Sequence, residues 1–537
     1  NLEEVVVVGY GVQKKANLTG AVATISSKEL EDRPVTNAVQ ALQGKIANFN
    51  VYNSDGGPGS RSSFNIRGYA GLEDGKGATY SPLVIIDGVT GYFDDLNPND
   101  IETLTVLKDA AASAIYGAQA AYGVILITTK SGKKNEKPVI SYNNNFSFNS
   151  PTVLPKTAGS LEFARLFRES SINDGGGGVI DLETMDRIEK YYNNPGSIPN
   201  NVSQLDNPDR WSDWGDGRSN ANEDWANAMF KSNQLNQSHN ISIRGGSQLS
   251  TYMMSLGYLK DGGKLRYYDD NYQRYNAALK VNTDVTKWLT VGMNARYARE
   301  KNVTPAYYMD PEGGVNNLIN WIWVVWPTIP VLDPNGHFSP AGRMAFINQA
   351  NPNTTYTDNF WGTVNALFKI LPGWTANIDF TYNKYATKQT YSKGLIYSWS
   401  VNNEPYLDSS SQETTQVWQK ANNDDFTSMN AYTTYEKSLH EHNFKLMVGM
   451  QQEYKKNWSE SVSKMGLVLP EQPSISTATG KVDASDRLDH YTTMGFFGRL
   501  NYDYNGRYLF EFNLRRDGSS RYAEGHKWGT FPAFSVG

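Results

Sequence analysis

The sequence predicts a mainly β protein: a transmembrane antiparallel β-barrel preceded by a small mixed α/β domain. Three observations predict it. Long segments after Pro138 alternate strictly between apolar and polar residues. The links between those segments are short and long by turns. Before Lys134 the apolar residues follow another pattern, short runs broken by Gly and Pro.

Alternation comes first because it fixes the geometry. Leu289, Val291, Met293, Ala295 and Tyr297 fall on one side of a strand, and Thr290, Asn294 and Arg296 on the other. Tyr275, Ala277, Leu279 and Val281 oppose Asn276, Lys280 and Asn282; Phe496, Leu500, Tyr502 and Tyr504 oppose Arg499, Asn501 and Asp503; Tyr508, Phe510, Phe512 and Leu514 oppose Glu511, Asn513 and Arg515. Side chains in a strand change face at every residue, so each segment has an apolar, aromatic face and a polar, often charged one. A soluble antiparallel sheet with one wet face has the same alternation. Its strands run about 5–6 residues, however, whereas these run to about ten or more, the length a tilted strand needs to cross a bilayer.

The links orient the sheet. About twelve strands are countable, centred near Val139, Asn240, Thr251, Tyr272, Trp288, Phe360, Trp374, Phe426, Asn443, Tyr491, Tyr508 and Thr530. The links at 246–249, 282–285, 371–373, 438–441 and 505–506 are tight, and those between them are mostly long. Outer-membrane barrels keep short periplasmic turns and long outer loops. A first strand running outward puts every tight turn on the periplasmic side.

Composition agrees. With 33 Tyr, 21 Phe and 13 Trp, strands are favoured over helices. Mean hydropathy is −0.55, and the densest apolar run, WIWVVW at 321–326, is far short of the ~20 residues of a spanning helix. Net charge is −5 with dispersed basic residues, which gives no nucleic-acid footprint. The absence of Cys excludes disulfides and thiolate metal sites. The chain does not begin with Met and has no apolar leader, so a processed chain is expected.

The N-terminal third carries ordered motifs. EEVVVVGYG stands at 3–11, NAVQALQGKI at 37–46, NIRGY at 65–69, PLVIIDGV at 82–89 and LNPNDIETLTVLKDA at 96–110, followed by AIYG at 114–117 and GVILITTK at 123–130. Helix-like pieces are expected at 37–42 and 109–116. The series resembles the TonB box and plug domain of the SusC-like TonB-dependent outer-membrane transporters. EDW at 223–225, RRDGSSR at 515–521 and WGTFP at 528–532 extend the resemblance along the chain.

The resemblance implies a TonB box and lead-in at 1–11, a plug at 12–134 seated in the lumen, and part of a 22-strand barrel at 138–537. It implies a non-enzymatic importer in the outer membrane of a Gram-negative bacterium. TonB, with ExbB and ExbD, would act from the periplasm, and a SusD-like lipoprotein lid from outside. Glycan or peptide is the implied substrate, and a dimer of transporter–lid pairs stays open. A siderophore or cobalamin receptor, or a surface adhesin on the same scaffold, is the alternative. A plug of about 130 residues needs about 22 strands around it. Roughly ten strands are therefore expected outside this chain, together with the family's upstream periplasmic domain.

Site residues follow motif by motif. Glu4, Val5, Val6, Val7 and Val8 would form the TonB box, a β-prone segment able to add to a partner's sheet; an ordinary first plug strand reads the same. The plug motifs contribute Arg67, Gly68, Asp87, Gly88, Lys108, Asp109, Tyr116 and Gly117. A buried Arg67 would need an anionic partner among Asp87, Glu102 and Asp109, either as a plug-to-barrel pair that force breaks or as a static internal bridge. Trp211, Trp214, Trp321, Trp323 and Trp326 lie in the two longest outer loops, where they contact substrate, pack the loop or line the membrane interface.

Other signals are weaker. DGGPGS at 55–60 lacks the ending of a phosphate loop. His440 and His442 share a strand face without an evident third ligand. Asp206, Asp209, Asp213 and Asp216 crowd an outer loop and miss calcium-loop spacing, so calcium is weighed there against plain solvated acidity. No catalytic constellation, resident cofactor or metal site is expected.

Overall fold

A computed structural model describes residues 5–8, 11–14, 21–27, 29, 38–53, 56–68, 81–93, 96–109, 113–306, 320, 324–339, 344–408 and 415–537. The N-terminal part holds β1 (Val5–Val8), β2 (Gly11–Lys14), β3 (Val22–Ser26), α1 (Ala38–Leu42), β4 (Phe49–Asn53), β5 (Ser62–Ile66), β6 (Leu83–Ile86), β7 (Val89–Thr90), β8 (Ile101–Leu107) and β9 (Val124–Thr129). Its main sheet has the order β3-β8-β9-β6-β7, antiparallel except where β6 runs parallel to β9. The apolar runs at 83–86 and 124–127 are its strands β6 and β9, whereas Val5–Val8 pairs with β2 in a separate two-stranded sheet. Val39 and Leu42 of α1 pack on Ile86, Leu104, Val106 and Ile127, so the sheet is covered on that face as a mixed sheet requires.

Of the Ala-rich piece expected to be helical over 109–116, positions 110–112 lie outside the described residues; Ser113 N–H donates to Asp109 O at 3.2 Å, the bond of an α-helical turn, and 3-10 turns follow over Ala114–Ala120. Gly117 interrupts them at φ 67°, ψ −149°, a conformation essentially confined to glycine.

The rest of the chain builds one 12-stranded antiparallel sheet. Its strands are β10 (Val139–Asn149), β11 (Gln234–Gly246), β12 (Ser250–Gly262), β13 (Asn271–Asp284), β14 (Leu289–Pro305), β15 (Pro352–Leu371), β16 (Trp374–Lys393), β19 (Gln416–Leu439), β20 (His442–Met465), β21 (Val482–Tyr504), β22 (Tyr508–Ser519) and β23 (Trp528–Val536); the small hairpin β17 (Tyr397–Trp399) and β18 (Pro405–Leu407) lies outside it. Every strand expected from alternation is present. Strands β19 and β20 reach 24 residues, roughly 80 Å of extended chain at ~3.3 Å per residue, so they extend well past a bilayer.

Register sorts the side chains into rows. Lys280, Asn294, Thr363, Thr381, Ser428, Glu453 and Thr493 are successive cross-strand partners. One residue along, Val281, Met293, Val364, Phe380 and Met429 form the neighbouring row. The polar row faces inward, where Thr381, Ser428 and Glu453 are buried; Met293, Val364, Phe380 and Met429 are exposed. A sheet that buries its polar face and exposes its apolar one inverts the usual arrangement. Such a contiguous apolar surface calls for a lipid solvent.

The tight turns fall at one end of the sheet, and the N-terminal domain leaves by that end. Asn135 N–H donates to Ser247 O at 3.0 Å and Gly246 N–H to Glu136 O at 2.9 Å, both beside the β11–β12 turn. At the opposite end the long links fold into a lobe. It contains α2 (Ser160–Asn173), α3 (Leu182–Asn193), α4 (Trp225–Met229) and α5 (Met344–Asn348). Asp181 and Asp224 cap α3 and α4 by accepting from Thr184 N and Asn227 N. The fully buried Trp225 centres the lobe's core with Phe346 and Ile329. Among the described residues no helix is long and apolar enough to span a membrane.

Candidate functional site

The N-terminal domain seats against the polar face of the sheet through a few charged and amide groups. The β6–β7 turn supplies the first. Asp87 and Gly88 both have positive φ, 49° and 88°, the geometry of a two-residue hairpin turn. That turn brings the Asp87 carboxylate to the wall. It accepts from Thr129 N at 3.0 Å and Thr129 Oγ1 at 2.5 Å within its own domain. From the wall it accepts from Lys280 Nζ at 3.1 Å and Asn294 Nδ2 at 2.7 Å. Burial pushes this carboxyl upward, but the charges of Lys280 and Arg296 and the two bonds from Thr129 hold it at about 2.

Asp100 is the contrasting case. It ends a 3-10 turn and accepts from Ser255 Oγ at 2.8 Å. Its other carboxylate oxygen is buried without a partner. Burial lifts it to about 6, against the donation from Ser255 and the positive charges of Lys130, Arg274 and Arg296.

Further contacts flank these two. Gly59 N–H donates to Asp261 Oδ2 at 3.0 Å, and Arg61 pairs with Glu300 at 3.6 Å. On the other side Arg515 of β22 donates Nη1 to Ile115 O at 2.6 Å and Nε to Asp517 Oδ1 at 2.7 Å. A Cβ on Gly117 would collide with Asp517 and the Arg515 guanidinium. The AIYG motif and the RRDGSSR motif are therefore two halves of one contact. Tyr116 is buried beside Met447 and Phe497 of the wall.

Arg67 departs from expectation. It is exposed, at φ 62°, beside Gly68, whose N–H donates to Asn65 Oδ1 at 3.1 Å. Domain-to-wall ion pairs form instead at Asp87 with Lys280 and at Arg61 with Glu300. The β6–β7 turn, not β5, brings a carboxylate of the domain to Lys280. Asp109 accepts from Ala21 N at 2.5 Å. Lys108 donates to Ala47 O at 2.8 Å, and burial, with the nearby Arg67, lowers its pKa.

Of the proposed TonB box, Val5–Val8 is a strand paired antiparallel with Gly11–Lys14, Val6 opposite Gln13; Glu4 lies outside the described residues. Trp211, Trp214 and Trp326 sit in the outer lobe, where the Trp326 ring packs at a tilt against Phe163, Phe167 and Trp214. Trp321 and Trp323 lie outside the described residues. Asp213 and Asp216 tie their own loop, accepting from Gly215 N and Ser212 Oγ. His442 bonds Tyr502. Among the described residues no group of three or more His, Cys, Asp or Glu is placed to hold a metal.

A cavity of about 600 Å³ lies between the domain and the wall, within the range of ~300–1,000 Å³ typical of ligand sites. Tyr92 and Gln119 line it from the domain; Trp361, Glu453, Tyr491 and Arg515 line it from the wall. Lys280, Gln119 and Glu453 were not expected as site residues. The alternation placed Lys280 on the polar face, but only register reveals what it meets.

Comparison with known proteins follows this geometry. The model of the TonB-dependent Receptor Plug Domain matches residues 14–124. The TonB-dependent receptor SusC of Bacteroides thetaiotaomicron is 31% identical over all of this chain and 51% of its own length. A TonB-dependent receptor of Formosa agariphila is 26% identical over all of this chain and 48% of its own. Among solved structures, the RagAB peptide importer in its open-open state matches with a TM-score of 0.77 at 25% identity, over 98% of this chain and 58% of that one. The chain spans about half the length of the curated relatives it matches.

Proposed function

Since the chain belongs to the SusC-like TonB-dependent receptors of the outer membrane, transporters rather than enzymes, we propose that it serves TonB-driven import of an oligosaccharide or oligopeptide. In this reading 12–134 is the plug, and Val5–Val8, with Glu4, is the segment TonB grips. A SusD-like lipoprotein covers the outer mouth.

One observation carries the reading. The plug meets the wall through polar contacts such as Asp87 with Lys280 and through two apolar spots, Tyr116 beside Met447 and Phe497 and Val89 beside Trp361 and Phe426, while the apolar surface of the sheet faces outward. A large interface that is mainly hydrophobic is typically permanent. A polar one can part, because water replaces each bond as it breaks. Pulling from the periplasm would then open a path that thermal motion leaves shut.

The cavity supports a ligand of this class. Tyr92, Trp361 and Tyr491 offer aromatic faces, and Gln119, Gln451 and Glu453 offer amide and carboxylate partners. Aromatic rings stack on sugar rings and on peptide side chains alike. The likeness to a peptide importer favours peptide; the likeness to SusC leaves glycan in place.

The test is uptake by cells expressing the full-length receptor, offered labelled maltooligosaccharides and labelled peptides separately. Import of one pool is expected, and loss of it on TonB deletion or with Val6→Pro, which removes a backbone donor from β1. Uptake that survives both changes would sink the proposal.

A further inference from the structure

A closed circuit of hydrogen bonds begins and ends in the plug segment 115–119. Gln119 Nε2 donates to Glu453 Oε2 at 3.1 Å. Gln451 Nε2 donates to Glu453 Oε1 at 3.0 Å, and Arg515 Nη2 donates to Gln451 Oε1 at 2.8 Å. Arg515 Nη1 returns to the plug at Ile115 O, 2.6 Å away. Thr493 Oγ1 adds a second donor to Glu453 Oε2, at 3.1 Å.

The members differ in how they meet the cavity. Glu453 is only 5% exposed, an acid held in place from the wall by Gln451 and Thr493. Gln119 is exposed, and both residues line the cavity. Gln451, Thr493 and Arg515 line the cavity too, but Gln119 is the exposed member of the circuit, so its bond to Glu453 is the link most open to an occupant. A carboxylate accepts and does not donate. Whatever replaces Gln119 on Oε2 must bring a hydroxyl or an N–H.

We propose that the Gln119–Glu453 bond is the point at which the plug senses an occupied cavity. A neutral ligand bearing hydroxyl or amide donors displaces Gln119 from Glu453 Oε2, and the 113–123 segment loses a polar tie to the wall. Gln119 is thus a positioning residue, and Glu453 selects for hydrogen-bond donors against anionic groups at this spot. The inference rests on the import reading only for the nature of the ligand.

The chain contains no Cys; with any Cys elsewhere in the full-length receptor replaced by Ser, a single introduced thiol can place a probe without knowledge of the natural ligand. Ser519 lines the cavity, and Thr493, its cross-strand partner, also pairs with Glu453. In the full-length receptor, the Ser519→Cys variant is labelled with a glucosyl maleimide, a glycinamide maleimide or N-ethylmaleimide, and amide hydrogen exchange is read over 113–123. Either donor-bearing label should speed exchange there by about tenfold, the effect of losing one charge-assisted bond; N-ethylmaleimide should not. Which donor label acts distinguishes sugar-like from peptide-like chemistry. Adding Gln119→Leu should speed exchange before labelling and remove the response to the label. Equal effects from all three labels, no effect from any, or an unchanged baseline in the Gln119→Leu variant would each overturn the proposal. No transport step enters the measurement, so its failure leaves the import reading standing, and loss of import leaves this one standing.

Discussion

Lys280 Nζ stands 3.1 Å from Asp87 Oδ1, joining a wall strand to a plug turn 193 residues earlier in the chain. Both side chains are largely buried, and Asn294 and Thr129 occupy further lone pairs of the carboxylate. Removing one partner of such a pair strands the other charge, at about 3 kcal/mol or more. Lys280→Met should therefore loosen the plug by about that amount, measured as faster hydrogen exchange in β6 and β7. Asp87→Asn together with Lys280→Met should recover much of the loss. The sign with pH follows from a carboxyl held at about 2. Its stabilisation is full above the ordinary value of about 3.9 and is lost as pH falls through about 2. This contact should persist at pH 4.

Asp100 predicts the opposite trend. Its carboxyl is raised to about 6, so ionisation works against the seated plug. The penalty is complete above pH 6 and disappears as pH falls toward about 4. The shift amounts to about 3 kcal/mol at most. Asp100→Asn should stabilise the plug at pH 7.5 and have little effect at pH 4.5, as read by exchange in β8. Equal effects at both pH values would contradict this.

Gly117→Ala should prevent the plug from seating. The backbone conformation costs a non-glycine residue about 1–3 kcal/mol, and the new methyl would meet Asp517 and Arg515. Lower receptor abundance in the outer membrane and trypsin sensitivity of the plug are the expected readouts. Asp517→Ala should partly relieve the collision and leave the backbone cost.

Phe380→Arg tests the assignment of faces. Phe380 is exposed on the apolar row between Val364 and Met429. An arginine facing lipid near the midplane costs about 2–4 kcal/mol, and near zero at a water-exposed surface. Heat stability of the folded receptor in outer-membrane vesicles should fall accordingly. An unchanged melting temperature would mean that this face meets water.

Much of this architecture was legible in the sequence, for a physical reason. Strand alternation is local, so the positions of β13, β14, β21 and β22 follow from neighbouring residues, and the tight turns orient the sheet. The seating contacts were not legible, because they depend on register across strands far apart in the chain. Lys280 and Asn294 were visibly on the polar face. That they converge on Asp87 follows only when β13 and β14 pair 280 with 294. That Arg67 is exposed was not legible either, because motif position says nothing about direction. The kink at Gly117, just past the helical piece expected at 109–116, was likewise not legible, because Gly117 serves the contact with Asp517.

The central claim is that the plug parts from the wall when TonB pulls. Asn97 of the plug and Gly257 of β12 approach closely; a Cβ on Gly257 would lie 3.6 Å from Asn97 Cγ, within reach of a disulfide. The double variant Asn97→Cys, Gly257→Cys tethers the two in the full-length receptor. Uptake of the labelled nutrient pool that wild-type cells import should stop when the tether is oxidised and return on reduction with dithiothreitol. Undiminished uptake with the tether fully oxidised would contradict the account.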